Sequence, residues 1–481
     1  MKTAKNTMWV VLLLALALCV PAAWAQQKDP RVPPAAPLPP IVTGESSSKT
    51  AASANQPAAS PAAKSDNTPL TSSQVWSPGG GGAGRNFLLP SLSIYGGGDT
   101  NPQGFGSGSA LGAVTTVGGQ LALQRVWVRS ELTAEYAGGS TFYTSVPDRN
   151  RSFHDFQFSY KTSGRRWTFL LSDSVGYSPE GGAGGGLGFG QLGTGPASIS
   201  GNPLVNLNPA LTPNQSIVST NAPRVDNTVA GEFQHGAGRR ATLTFGGSYG
   251  ILRFMENGFI DGDTIGFRGG YDRTLTAKDT IAVSYGANLF RYRGISMGTD
   301  SHVVQLSYGR RISGRMSFQV SGGPQITQVD TILGTRNSLV SWNLQSFLRY
   351  RVGQADATLS YLHGVTGGSG FFLGAVTDDF SAGLSRQLSR VWRGSVNFGF
   401  AHNGSLQEIV AGTTGRRFNT WRGGFELSRP VGRYTRMYFT YGVEHQASAN
   451  VGCVGPACGL DGTRHVFGLG FNFRFKSIEL E

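Results

Sequence analysis

After residue 25 the chain has no apolar run near the ~18 residues that a membrane-crossing helix requires. Charge is scarce, at 14% of 481 residues, while the apolar share of 39% is too high for a disordered chain and too low for a bundle of membrane helices. Glycine, at 70 residues, lacks the period of three that collagen demands. There are three cysteines, Cys19, Cys453 and Cys458. Signatures of chemistry are missing as well. The run Gly181 to Gly188 lacks the Lys-Ser/Thr ending that cradles phosphate. The seven histidines are scattered, and His402-Asn403-Gly404-Ser405 places a His near a Ser only in an ordinary loop-end setting. Asp378-Asp379 reads as a solvated carboxylate pair at a loop-to-strand junction. No basic stripe is interleaved with exposed aromatics, which argues against nucleic acid. The expectation is a protein that is no enzyme and holds no cofactor and no metal.

What is present begins with an export signal. Lys2 and Lys5 precede the 12-residue apolar stretch Trp9 to Val20, too short to span a bilayer, and Ala23-Trp24-Ala25 is a small-residue cleavage site. The alternative is a lipoprotein signal acylated at Cys19, which the bulky Leu18 disfavours. Residues 1–25 are therefore expected to be a signal peptide. Residues 26–84 carry Pro33-Pro34, Pro39-Pro40 and Gly79 to Gly82 with almost no aromatics, so they are expected to be a disordered periplasmic spacer. Cleavage leaves Cys453 and Cys458 in a turn-like Cys-Val-Gly-Pro-Ala-Cys segment, and an even count in an exported chain predicts a disulfide.

Over residues 85–481 the texture alternates with period two, the spacing that sends successive strand side chains to opposite faces. Phe467, Leu469, Phe471, Phe473 and Phe475 share one face of the last strand; Val466, Gly468, Gly470, Asn472 and Arg474 share the other. The segments Thr280 to Asn288 and Tyr434 to Glu444 repeat the pattern. Strands meet alternately at tight turns, such as Ser313-Gly314 and Gly353-Gln354, and at longer loops beginning near Thr144, Pro179, Gly367 and Leu406. The pattern predicts 18 strands, with 16 as the alternative, in an all-β, antiparallel up-and-down transmembrane barrel with both termini on the short-turn side. The weakest turn is the one expected near Gln124-Arg125, which has neither Gly nor Pro.

At this scale the sequence resembles the bacterial outer-membrane barrels, porin-like in size. The aromatic strand ending at Phe475 is similar to the segment such barrels present to the outer-membrane assembly machinery, although the tail Lys476 to Glu481 follows it. The resemblance implies a bacterial outer-membrane location and contact with outer-membrane lipids. A homo-oligomer stays open. Phe467, Leu469, Phe471, Phe473 and Phe475 are expected to face lipid. Lumen-lining positions are expected at Arg129, Glu131, Glu232, Arg268, Arg349, Arg422, Glu426, Arg436 and Glu444.

Charge refines this reading. The net charge is +13 overall and +10 once the first 84 residues are set aside. Many arginines flank the short turns, among them Arg165-Arg166, Arg239-Arg240 and Arg310-Arg311, where they would meet lipid phosphates. Parity assigns ten bases and eight acids to the lumen, with Glu426 opposite Arg436, which implies at most a weak anion preference. The leading function is a passive channel for small hydrophilic solutes. Its rival is a non-conducting surface barrel for adhesion or scaffolding. The uncharged 43-residue stretch Gly181 to Pro223 is the expected constriction loop, by its similarity in order and length to the third porin loop. If the lumen is wide, Leu469→Arg is expected to harm assembly far more than Gly470→Arg.

Overall fold

A computed structural model of the chain describes residues 86–104, 111–178, 222–295, 297–330, 334–368, 370, 372–407, 417–449 and 461–480. All belong to the compact unit Pro57–Glu481. The expected signal peptide, the spacer 26–84, most of the stretch 181–223 and the pair Cys453/Cys458 lie outside the described residues.

Eighteen long strands follow one another. They are β1 (Phe87–Asp99), β2 (Gly112–Val126), β3 (Ser130–Tyr143), β4 (Arg151–Ser163), β5 (Trp167–Ser178) and β6 (Arg224–Gly236), then β7 (Ala241–Phe254), β8 (Gly262–Thr274), β9 (Asp279–Tyr292), β10 (Gly298–Ser313), β11 (Met316–Asp330) and β12 (Arg336–Val352). The circuit ends with β13 (Ala355–Thr366), β14 (Ala375–Gln387), β15 (Arg393–Ser405), β16 (Arg417–Pro430), β17 (Thr435–Ala449) and β18 (Gly462–Arg474). Each pairs antiparallel with its sequence neighbour, and β1 also pairs with β18 over Ser91↔Arg474 to Asp99↔Val466. The sheet thus closes into a barrel of 18 strands, as expected, with no free edge along its long strands.

Residues directly opposite across a strand pair share a face, so register carries the alternation around the whole circuit. On β18 Phe467, Leu469 and Phe473 are exposed, whereas Arg464, Val466, Gly468, Gly470 and Asn472 are buried. The outer surface elsewhere presents Phe245, Phe267, Val283, Val304, Leu306 and Phe425. The inner surface carries Ser172, Thr244, Ser284, Gln305, Ser321 and Thr420, all buried. A soluble barrel hides its apolar face; this one hides its polar face, the distribution of a barrel whose outside meets hydrocarbon.

Short turns and long loops alternate as the sequence predicts, with two differences. The β2–β3 turn is Trp127 to Arg129, later than expected, and it closes through Trp127 N–H donating to Ser130 O at 2.7 Å. The strand thereby runs through Gln124 and Arg125, whose side chains fit an extended backbone where no Gly or Pro interrupts it. After β18 the chain turns into a two-residue strand, β19 (Ile478–Glu479), which pairs with Leu88 and Phe87 at the start of β1. The tail extends the closing seam instead of trailing from it.

Candidate functional site: the barrel interior

Eight of the nine expected lumen residues stand on the inner face. Glu131, Glu232, Arg268, Arg349, Arg422, Glu426, Arg436 and Glu444 all share the parity of their strands' buried positions. Arg129 does not: it sits in the exposed Trp127–Arg129 turn, because β2 and β3 both stop short of it. Glu426 and Arg436 are not directly opposite. Register pairs Glu426 with Thr440 and Arg436 with Pro430, because the hairpin turns about Arg433, two residues beyond the centre of the expected Pro430 to Gly432 turn. They remain electrostatic neighbours along the wall.

The inner charges fall into two arcs. From β3 to β8 the acids Glu131, Glu135, Asp155, Asp226, Glu232 and Asp272 outnumber the bases Arg151, Lys161, Arg224 and Arg268. From β12 to β18 the order reverses: Arg349, Arg351, Arg393, Arg422, Arg436, Arg464 and Arg474 face only Asp356, Asp379, Glu426 and Glu444. Between them β9–β11 present a polar wall charged only at Arg311 near its short-turn end, knit by Gln325 donating to Ser301 at 2.7 Å and Gln305 donating to Asn343 at 2.5 Å. Local pairs hold each arc. Arg349 donates to both Asp356 oxygens, at 3.2 and 2.7 Å, and Arg422 reaches Asp379 at 3.4 Å. Gln120 and Gln124 donate to Glu135 and Glu131, the latter at 3.0 Å. Asp99, Arg224, Asp226, Asp379 and Arg464 were missed as lumen residues in the sequence. All five lie near the long-loop ends of their strands, where alternation alone does not say whether strand or loop continues.

The closing seam has its own inner cluster. Tyr95 of β1 and Tyr438 of β17 are almost fully buried, with ring centroids 6.5 Å apart and planes within 11°. Between them β18 offers Gly468 and Gly470, whose missing Cβ atoms leave the room the two rings occupy. A Cβ on Gly470 would fall within the Tyr438 ring, so Gly470→Arg is not the benign inward change expected from the pattern. Above the tyrosines, Arg464 donates to Asp99 at 2.7 Å and to Tyr143 Oη at 3.0 Å.

At the long-loop end the connection after β13 folds inward. The β13–β14 connection, Gly367 to Gly374, holds Gly368, Gly370 and Gly374 at φ of 81°, 82° and 89°, a region that side chains other than glycine rarely adopt. It reaches the β7–β8 loop, where Ile260 N–H donates to Gly370 O at 2.9 Å. Six strand positions separate these loops around the wall, so the contact crosses the mouth. Phe372, 1% exposed, packs on Phe418 with centroids 5.6 Å apart. Beside it Phe290, Tyr292, Val329, Val365 and Leu406 form an apolar cluster joined by Ile260 and Leu373. This strap was missed because its length is ordinary; the signal for it was the run Gly-Gly-Ser-Gly-Phe-Phe-Leu-Gly, flexible and uncharged beside apolar anchors.

Compared with family models and with curated protein sequences, the chain finds no match. Among solved structures it is similar to OpdQ of Pseudomonas aeruginosa, at 10% identity over 82% of this chain and 99% of that one, TM-score 0.40. OccK2 (OpdF) of Pseudomonas aeruginosa in complex with glucuronate aligns at 9% identity, covering 82% and 98%, TM-score 0.41. The ferric citrate transporter FecA in its unliganded form aligns at 10% identity, covering 76% and 61%, TM-score 0.39. The architecture of this chain rests on its own strand pairing.

Proposed function

We propose that this barrel resides in a bacterial outer membrane and lets small hydrophilic solutes pass passively through its interior. One observation carries the reading: the wall is apolar and aromatic outside and polar and charged inside, with the pair Asp173 and Asn227 the outward exception on β5 and β6. Buried polar groups require partners. Ser172 Oγ, Ser248 Oγ, Gln319 Oε1, Glu232 Oε2 and Arg268 Nε on the inner wall find no hydrogen-bond partner among the described residues, and water entering an open lumen would supply one. Lipids cover the outer face, and export depends on the leader and the assembly machinery. In the same reading Cys453 and Cys458 form a disulfide that clips the last long loop, and labelling by thiol reagents without reductant would exclude it.

Charge does not support the anion preference expected from the sequence. The inner wall balances its signs and separates them by arc, which favours solutes that carry a dipole over those of one charge. A second reading is a barrel that is closed at rest. Its support is the burial of Gln446, Glu232 and Arg268, exposed to 0%, 2% and 6%. Conductance of the purified protein in a planar bilayer tests the first reading. Discrete, long-lived steps are expected. A correctly inserted barrel that never conducts would leave the closed, non-conducting form.

A further inference from the structure

Six of the seven histidines lie at one depth on the outer face. His154 and His465 are the fourth residues of β4 and β18, and His302 is the fifth of β10, each counted from the long-loop end. His363 and His402 are fourth from the long-loop ends of β13 and β15, and His445 is fifth from that of β17. Their faces follow from register: His302 shares the side of exposed Val304 and Leu306, and His465 that of Phe467. The exception, His235, stands at the short-turn end of β6.

All six are held in the same manner. Each engages a cross-strand neighbour through Nδ1 and leaves Nε2 outside that bond. In three cases the partner is a tyrosine lying two residues deeper on the adjacent strand: Tyr136 for His154 at 2.8 Å, Tyr285 for His302 at 2.8 Å and Tyr441 for His465 at 2.9 Å. The other three partners are Asp378 for His363, Asn419 for His402 and Thr463 for His445. Trp342 stacks on His363 with centroids 3.8 Å apart, adding an amphipathic ring at the same level. Below this level the outer face is apolar except at Asp173 of β5, which accepts from Asn227 of β6 at 2.7 Å. From His465 to Phe473 is ~27 Å of strand at ~3.4 Å per residue, or ~20 Å along the axis at the usual barrel tilt, close to the ~25 Å apolar band of outer-membrane barrels. One rung beyond His302, Arg291 and Arg336 bridge Asp300, and Arg336 also meets Asp330 at 3.5 Å.

We propose that these histidines form an interfacial belt at the lipid headgroups on the long-loop side, and that His154, His302 and His465 donate Nε2–H to headgroup phosphate oxygens. A tyrosine hydroxyl that donates to Nδ1 leaves the ring hydrogen on Nε2, outside the cross-strand bond. His363 and His402 differ: carboxylate and amide oxygens accept from their Nδ1–H, so they mark the level without donating to phosphate. The proposal rests on the membrane reading above, and it adds a partner chemistry that this reading does not require.

Full-length protein with 15N-labelled histidine, reconstituted in phosphatidylglycerol vesicles, tests it by 31P-to-15N dipolar dephasing in the solid state. Dephasing of ring nitrogens is expected. A protein that stays outside the bilayer overturns the membrane reading and the belt with it; one that inserts without dephasing overturns the belt alone. A second measurement uses His154→Phe/His302→Phe/His465→Phe, which keeps a ring at each site. Wild type is expected to melt higher in phosphatidylglycerol than in neutral galactolipid vesicles. The triple variant should lose most of that difference while its galactolipid midpoint stays put. A difference fully retained would exclude the donor role.

Discussion

Asp99 and Arg464 show how one buried pair holds the closing seam. Their side chains are 0% and 8% exposed, and the carboxylate also accepts the backbone N–H of Asn101 at 2.9 Å. Removing one member of such a pair strands the other charge, at a cost of about 3–5 kcal/mol. Asp99→Asn should lower the urea midpoint of the detergent-solubilised barrel accordingly; a change under ~1 kcal/mol would mean that the pair is solvated. Face assignment has a separate test. Leu469 is 43% exposed among outward aromatics, where an arginine at mid-depth costs ~2–4 kcal/mol. Asn397 is inward by register yet exposed, so it has room. Leu469→Arg should therefore cut the heat-resistant folded fraction on a gel, and Asn397→Arg should leave it intact. Equal losses would refute the faces.

At the scale of elements, alternation made the 18 strands legible, because a closed barrel repeats one constraint on every strand. Apolar out and small or polar in survives even where propensity is weak, as in the glycine-rich β1 and β18. The turn after β2 was misplaced because Trp127-Val128-Arg129 carries no turn-forming residue, and β19 was invisible because a two-residue strand has no period. The strap Gly367–Gly374 was illegible for another reason: inward folding depends on distant partners, Phe254 and Ile260 on one side and Phe418 on the other. Its role is open to direct measurement. Deleting Gly368 to Leu373 should raise single-channel conductance with the barrel still folded, since the segment crosses the mouth. Gly370→Val should destabilise the strap, because a side chain there meets the Phe254 ring at a backbone φ of 82°. Conductance unchanged by the deletion would show that solute takes a path the strap does not narrow.

For the molecule as a whole, the placement of charge matters more than its sum. A surplus of acids on β3–β8 faces a surplus of bases on β12–β18, with β9–β11, charged only at Arg311, between them on one side. An ion of either sign meets attraction on one wall and repulsion on the other, so the net barrier is similar for both, and a solute with separated charges gains from both walls at once. The intact protein should then show a reversal potential near zero across a potassium chloride gradient. Neutralising the basic arc with Arg393→Gln, Arg436→Gln and Arg474→Gln removes three positive charges clustered near the short-turn end. Cation selectivity is the expected result. Glu131→Gln, Glu135→Gln and Asp155→Asn in the opposite arc should shift it toward anions by a comparable amount. Exposed charges more than ~8 Å apart are screened at physiological salt, so both shifts should shrink as salt rises. Shifts of the same sign from the two arcs would mean that solutes follow only one wall, and the separation of charge would then have no part in what passes.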